Sequence, residues 1–226
     1  MVRIGISVEG TTEERFIKTL LVPYLSQKEI YVTPVSINGN VSVDRVKHEL
    51  RNLAYSFDYV STFYDFYGFK GKVEGETKTT LESRIKGSIK EEIRGRLIPY
   101  IQMYEFEGLL FSSPAAIALV LQDESLNAWA NNILADFNNN PEKVNDSTET
   151  APSKRLEKST NYRKTTHGPN IAKQIGLAKM RNMCPGFNDW LTELGYPRKA
   201  GQFKVKPCGL SKLTWIAILC NDIIAL

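Results

Sequence analysis

Apolar and polar positions change period along the first hundred residues, and the changes mark out elements. Val2 to Val8 (VRIGISV) is a β-branched run that reads as a buried strand and stops at Glu9. After Gly10, Phe16, Ile17, Leu20, Leu21 and Tyr24 recur at helical spacing, predicting a helix over 12–25. Thr11 and Glu14 have the spacing of a capping box, and Pro23 is expected to kink or end that helix. Residues 30–37 (IYVTPVSI) read as a second strand, at an edge because Pro34 has no N–H for the ladder. Val43, Val46 and Leu50 to Leu53 predict a helix, and Tyr59 to Phe63 a third strand running into Asp65. Residues 80–96 carry the charge pattern of an exposed helix, and 97–104 read as a fourth strand. This alternation predicts an α/β fold with a mainly parallel, Rossmann-like central sheet flanked by helices.

Beyond Glu107 the pattern turns helical. Ser113-Pro114 is a favoured start for an apolar helix, LNAWANNILADF follows as another, and residues 138–151 read as a polar loop or linker. A basic stretch, SKRLEKSTNYRKTTHGPN, leads into helices ending at Gly176, before Pro185 and at Gly195, with Met180, Met183 and Trp190 as core positions. Residues 1–112 are therefore expected to form the α/β core. Residues 113–195 complete the same domain with helices and a basic loop, and 196–226 form a C-terminal extension. The apolar end of that extension, LTWIAILCNDIIAL, is expected to pack on the body or on a partner.

Charge sharpens this division. Residues 151–226 hold 13 Lys/Arg against 4 Asp/Glu, which leaves 16 against 21 in residues 1–150. An acidic body with a basic C-terminal part suits a protein that handles a polyanion near acidic groups. Other chemistries are poorly stocked. Three cysteines without CxxC spacing and two histidines argue against a structural zinc site, a disulfide framework and a His-based triad. There is no GxxxxGK[ST] loop, no membrane-length apolar run and no long apolar leader, so a cytoplasmic location is expected.

The remaining tools are carboxylates at strand ends, where open α/β sheets gather their chemistry. Glu9 follows the first strand, Asp65 ends the third within FYDFYGF, and Glu105 and Glu107 follow the fourth within YIQMYEFEGLLFS. On an extended segment, Glu105 and Glu107 would face the same side and share a cation such as Mg2+, which favours oxygen ligands. The blander readings are a helix-dipole role for Glu9, a turn role for Asp65 ahead of Gly68 and a solvated strand end for Glu105 and Glu107. Lys154, Arg155, Lys158, Arg163 and Lys164, with Tyr162 among them, would track a phosphate backbone or form a solvated charged loop.

These stretches together (VEGTTEERFIKTLLVPYL, FYDFYGF, YIQMYEFEGLLFSSP and PSKRLEKSTNYRKTTHGPNIAKQIGLAKMRNMCPGFNDWL) resemble the DUF4276 proteins, a family of undefined function assigned to the Toprim-like superfamily. Toprim domains place a Glu after the first strand and a DxD motif after a later one, with Mg2+ between. The resemblance puts the Glu at Glu9 and the first Asp at Asp65. The second Asp falls on Tyr67, a departure that leaves Glu105 and Glu107 to complete a ligand set of Glu9, Asp65, Glu105 and Glu107 for Mg2+ or Mn2+. Glu9 and Asp65 are then the expected catalytic acids, Glu13 and Tyr67 pocket neighbours, and Lys154, Arg155, Arg163 and Lys164 the groups that hold DNA or RNA. The resemblance implies a nuclease-like phosphodiester enzyme, with an ABC- or AAA-type ATPase partner in a phage-defence or mobile-element setting, and leaves room for an oligomer. Its rival is a non-catalytic partner of such an ATPase, with a small-molecule phosphohydrolase as a third reading.

Overall fold

The computed structural model describes residues 1–145 and 147–197. Its centre is a parallel sheet built from β1 (Val2–Val8), β2 (Ile30–Ser36), β3 (Tyr59–Asp65), β4 (Leu97–Ile98) and β5 (Ile101–Gln102). The order is β2-β1-β3-β4, with β5 also paired to β3. β2 lies at the edge, as Pro34 required, with Pro34 opposite Ile6 of β1. The chain adds β2 on one flank of β1 and then crosses to add β3 on the other. The strand order therefore reverses between β1 and β3, and an open α/β sheet has its crevice outside the carboxyl ends of such a pair. Glu9 and Asp65 stand at those two ends.

Side-chain alternation gives the sheet two covered faces. Ile4, Ile6, Val8 and Phe63 join one core with Phe16, Ile17 and Leu21, which extends into the later helices. Val60 and Tyr64 face the other core, with Val46 and Leu50 of α3 (Val43–Ser56) and Leu81 and Ile85 of α4 (Lys78–Ser88).

The first helix departs from the expected form. α1 (Thr11–Phe16) opens into a π-helical stretch at Ile17–Leu21 before α2 (Val22–Ser26). Pro23 cannot donate to the ladder, so the chain widens ahead of it and continues, instead of stopping. The helix begins one residue earlier than the expected capping box and has no side-chain cap at its first position. Gly10 is the N-cap, and its N–H donates to Glu13 Oε2 at 3.1 Å, which turns Glu13 inward.

The expected fourth strand is broken in two by Pro99-Tyr100. Thr62 repairs the gap: its Oγ1 accepts from Tyr100 N–H and donates to Tyr100 C=O, both at 2.8 Å. Ser61 Oγ donates to Ile98 C=O at 2.6 Å and accepts from Trp190 Nε1 at 3.0 Å. Trp190 belongs to α11 (Pro185–Gly195) and stacks on Tyr100 with ring centroids 4.7 Å apart. The break in the sheet is thus where the helical half docks. The helix expected over 80–96 is likewise split, into α4 and α5 (Glu91–Arg94).

The rest of that half comprises α6 (Pro114–Leu121), α7 (Ser125–Asp136), α8 (Pro152–Ser159), α9 (Lys164–Ile175) and α10 (Leu177–Met183). Ser113 caps α6 as predicted. The segment read as a loose linker is held down by Glu142, whose carboxylate accepts from Gly186 and Phe187 N–H, both at 2.9 Å, and so caps α11. α9 tolerates an internal Pro169 because Arg15 of α1 donates to the Thr165 carbonyl that proline leaves unpaired. Arg15 also bonds Asn170, tying α9 to α1 beside the crevice. Nearly all of the expected extension, from residue 198 on, lies outside the described residues. Among the described residues no helix is long and apolar enough to cross a membrane.

Candidate active site

Four elements bring acids to the crevice. Asp65 comes from the last position of β3, Glu9 from the turn after β1, Glu13 from the first turn of α1, and Glu107 from a buried 3-10 segment, Phe106–Ser112. Glu13 is 3%, Asp65 4% and Glu107 0% exposed, which is rare for acids unless they are paired. Into this cluster reaches Lys164, the first residue of α9. Its Nζ lies 3.6 Å from Glu13 Oε1, 3.4 Å from Asp65 Oδ2 and 3.6 Å from Glu107 Oε2. The close packing that allows this depends on Gly168, where a Cβ would stand 2.8 Å from the Tyr162 hydroxyl and 3.2 Å from Phe106. Gly68 plays the same part for Glu9, whose Oε2 would be 2.6 Å from an added Cβ.

Electrostatics leave this cluster short of positive charge. Burial, opposed by Lys164 and reinforced by Glu13, Glu107 and Glu9, holds the Asp65 carboxyl well above the usual range. Glu107 is raised by burial and by Glu105 and Glu13, against the pull of Lys164. Glu9 is raised by burial, then by Glu13 and Glu105. Burial works against the charge of Lys164, but the surrounding carboxylates outweigh it and hold the ammonium above the ordinary lysine value. Asp65 Oδ1 and Glu107 Oε2 are buried with no hydrogen-bond partner. Such oxygens are costly unless a proton or cation joins them.

The predicted residues divide into those that converge and those that do not. Glu9, Glu13, Asp65, Glu107 and Lys164 converge. Glu105 and Glu107 do not share one extended segment: Glu105 is extended and precedes the 3-10 turn that carries Glu107 inward. Glu105 Oε2 accepts from Ser153 N–H at 2.9 Å, at the start of α8. Tyr162 does not track a phosphate backbone. It is buried, and its hydroxyl donates to Glu107 Oε1 at 3.1 Å. Lys154 is exposed and pairs with Glu157, Arg155 donates to Thr150 C=O and lies over the Phe137 ring, and Arg163 is exposed at the N-cap of α9. Tyr67 accepts from Asn145 Nδ2 at 2.5 Å.

The model of the family described as "Domain of unknown function (DUF4276)" matches residues 8–195. The chain belongs to the DUF4276 family. No curated protein matches it. No solved structure matches it. The stretch that defines this DUF4276 chain runs from the end of β1 to the end of α11, so it contains every converging acid and Lys164.

A divalent cation fits the chemistry of this donor set: hard carboxylate oxygens, two of them buried without a hydrogen bond. The spacing is a separate matter. Among the described residues no three His, Cys, Asp or Glu side chains stand as a ready cage, and the Lys164 ammonium lies among the acids instead. The inward turn of Lys164 had no signature in its local sequence, which reads as one basic residue among several. Glu13 had only the general preference for an acid in the first turn of a helix.

Proposed function

We propose that this DUF4276 protein is a Toprim-like, Mg2+- or Mn2+-dependent phosphodiester enzyme acting on nucleic acid. The observation that carries the reading is the pair of buried carboxylate oxygens without a hydrogen bond, Asp65 Oδ1 and Glu107 Oε2, at the point where the strand order reverses. Glu9, Asp65 and Glu107 would hold the cation, with Glu105 within reach of Glu9 and Glu107 by charge. A cation bound there supplies polarisation of the phosphodiester and stabilisation of the leaving oxygen. Glu9, raised and only partly buried, is suited to pass a proton at its carboxylate as general acid or base. Lys164 is suited to neutralise a non-bridging phosphate oxygen once the acids have another cation. The exposed Lys154 and Arg163 would hold the strand beyond the crevice, and an ATPase would act as a separate partner.

Two observations favour a second reading, a non-catalytic partner of an ATPase: Tyr67 stands where a second Asp is expected, and Lys164 already serves as the internal counter-ion. Mn2+ calorimetry on the wild type and Glu9→Gln, with matched circular dichroism, separates the two. The enzyme reading expects Mn2+ binding that is lost in a folded Glu9→Gln, and cleavage of oligonucleotides by the wild type alone. A folded wild type that binds no Mn2+ would transfer the assignment to the non-catalytic partner.

A further inference from the structure

Two tyrosines flank the acids in sequence and come together in space. Tyr67 lies two residues after Asp65, and Tyr104 immediately precedes Glu105. Their rings are 5.3 Å apart at 48°, and Tyr67 N–H donates to Tyr104 C=O at 2.9 Å. Neither is a core residue: both keep part of their surface exposed, unlike the fully buried Tyr64 and Tyr100 nearby. Phe66 extends the row, 6.4 Å from Tyr67. Tyr104 sits at φ 59°, a left-handed conformation that a bulky side chain rarely adopts. Backbone of that kind persists where the surroundings over-determine it, often at a ligand site.

A second observation points to a ligand with polar edges. One end of the Asn145 amide bonds the Tyr67 hydroxyl, while the other end, Oδ1, is buried without a partner. Around the row lie cations: Lys72 stands over the Phe66 ring at 5.2 Å and donates to the Phe66 and Phe69 carbonyls, and the exposed Lys70 in the same loop donates to Asn40. Aromatic faces, an unpaired amide group and lysines beside an acidic centre match an unpaired nucleobase with its phosphates, and not a paired duplex, whose faces are hidden in its own stack.

We propose that Tyr67 and Tyr104 form a stacking platform for an unpaired base next to the acidic cluster, so that the strand handled here is single or locally unpaired. The proposal rests on the nucleic-acid reading above and makes Tyr67 a strand-binding group in place of a missing metal ligand. Stacking of this kind carries binding without sequence readout, so a preference for single strands over duplex of the same sequence is expected.

The test uses the full chain in EDTA, so that metal plays no part in binding. Fluorescence anisotropy would compare a 12-nucleotide single strand, as DNA and as RNA, with its duplex for the wild type, Tyr67→Leu and Tyr104→Asn. Asparagine is chosen at 104 because it tolerates the left-handed backbone. The wild type should favour the single strand, each folded variant should bind it roughly tenfold more weakly, and 2-aminopurine in the strand should be quenched by the wild type only. Unchanged affinity and quenching in both folded variants, duplex preference, or no strand binding by the wild type would overturn the platform. A separate Mn2+ titration of the wild type keeps the two readings apart. Strand binding through the tyrosines without Mn2+ binding sinks the metal reading alone, and Mn2+ binding with strand affinity indifferent to the tyrosines sinks the platform alone.

Discussion

Asp65 is held against its own charge. Its folded pKa, like those of Glu107 and Glu9, lies above the ordinary value, so at intermediate pH the folded state holds more protons than the unfolded one. Stability from these groups is therefore complete below the ordinary carboxylate pKa and is lost as pH climbs from there through the raised values. The Lys164 contribution stays complete across that window because its pKa is raised from an already high value. Without metal, Asp65→Asn should flatten the pH dependence and raise stability near neutrality by about 1 kcal/mol, or roughly 2–4 °C in Tm. Lys164→Met should do the reverse. Removing one partner of a buried pair costs about 3–5 kcal/mol. With the Lys164 side chain 38% exposed, about 1–3 kcal/mol is expected, more at pH 8 than at pH 5. Thermal unfolding in EDTA at the two pH values checks both, and a loss of stability in Asp65→Asn at neutral pH would mark an ordinary structural ion pair. Asp65 and Glu9 could be singled out in the sequence because an apolar strand has no need of an acid at its end. Lys164 could not be told from its basic neighbours, since its direction depends on how α9 docks.

At the scale of elements, the docking rests on an irregularity that hydrophobic pattern hides. An apolar run from Leu97 to Tyr104 looks like one strand, and Pro23 in the first helix looks like a kink or an end, where the chain instead widens and continues. What decides both is hydrogen-bond supply. Pro99 interrupts the sheet, and hydroxyls on β3 replace the missing ladder bonds. Thr62→Val keeps the shape and strands a buried N–H and C=O of Tyr100. It should destabilise the fold by about 1–3 kcal/mol in urea with little change in m. A negligible effect would mean that Trp190 and Tyr100 hold the break by stacking alone. The parallel sheet, the edge position of β2 and the start of α6 needed no such long-range partner, and these were readable from the alternation of periods, Pro34 and Ser113.

For the whole molecule, the crevice lies between two parts of one domain: acids from the sheet and its loops on one side, and Lys164 and Tyr162 from the helical completion on the other. A cation that binds the folded crevice and not the unfolded chain must stabilise the entire domain by linkage. At about a hundred times its dissociation constant the gain is about 2.7 kcal/mol, or roughly 5–10 °C in Tm. The carboxyls must lose their protons to accept the metal, so the gain should grow from pH 5 to pH 8. Stability without metal is expected to fall over the same interval, because the acids then face one another with Lys164, among the described residues, as the cation between them. The two pH profiles should diverge, with Mn2+ shifting Tm most where the metal-free protein is weakest. Differential scanning calorimetry with and without Mn2+ across that range reads the divergence directly. Parallel profiles would place the metal outside the crevice and leave the acids to Lys164.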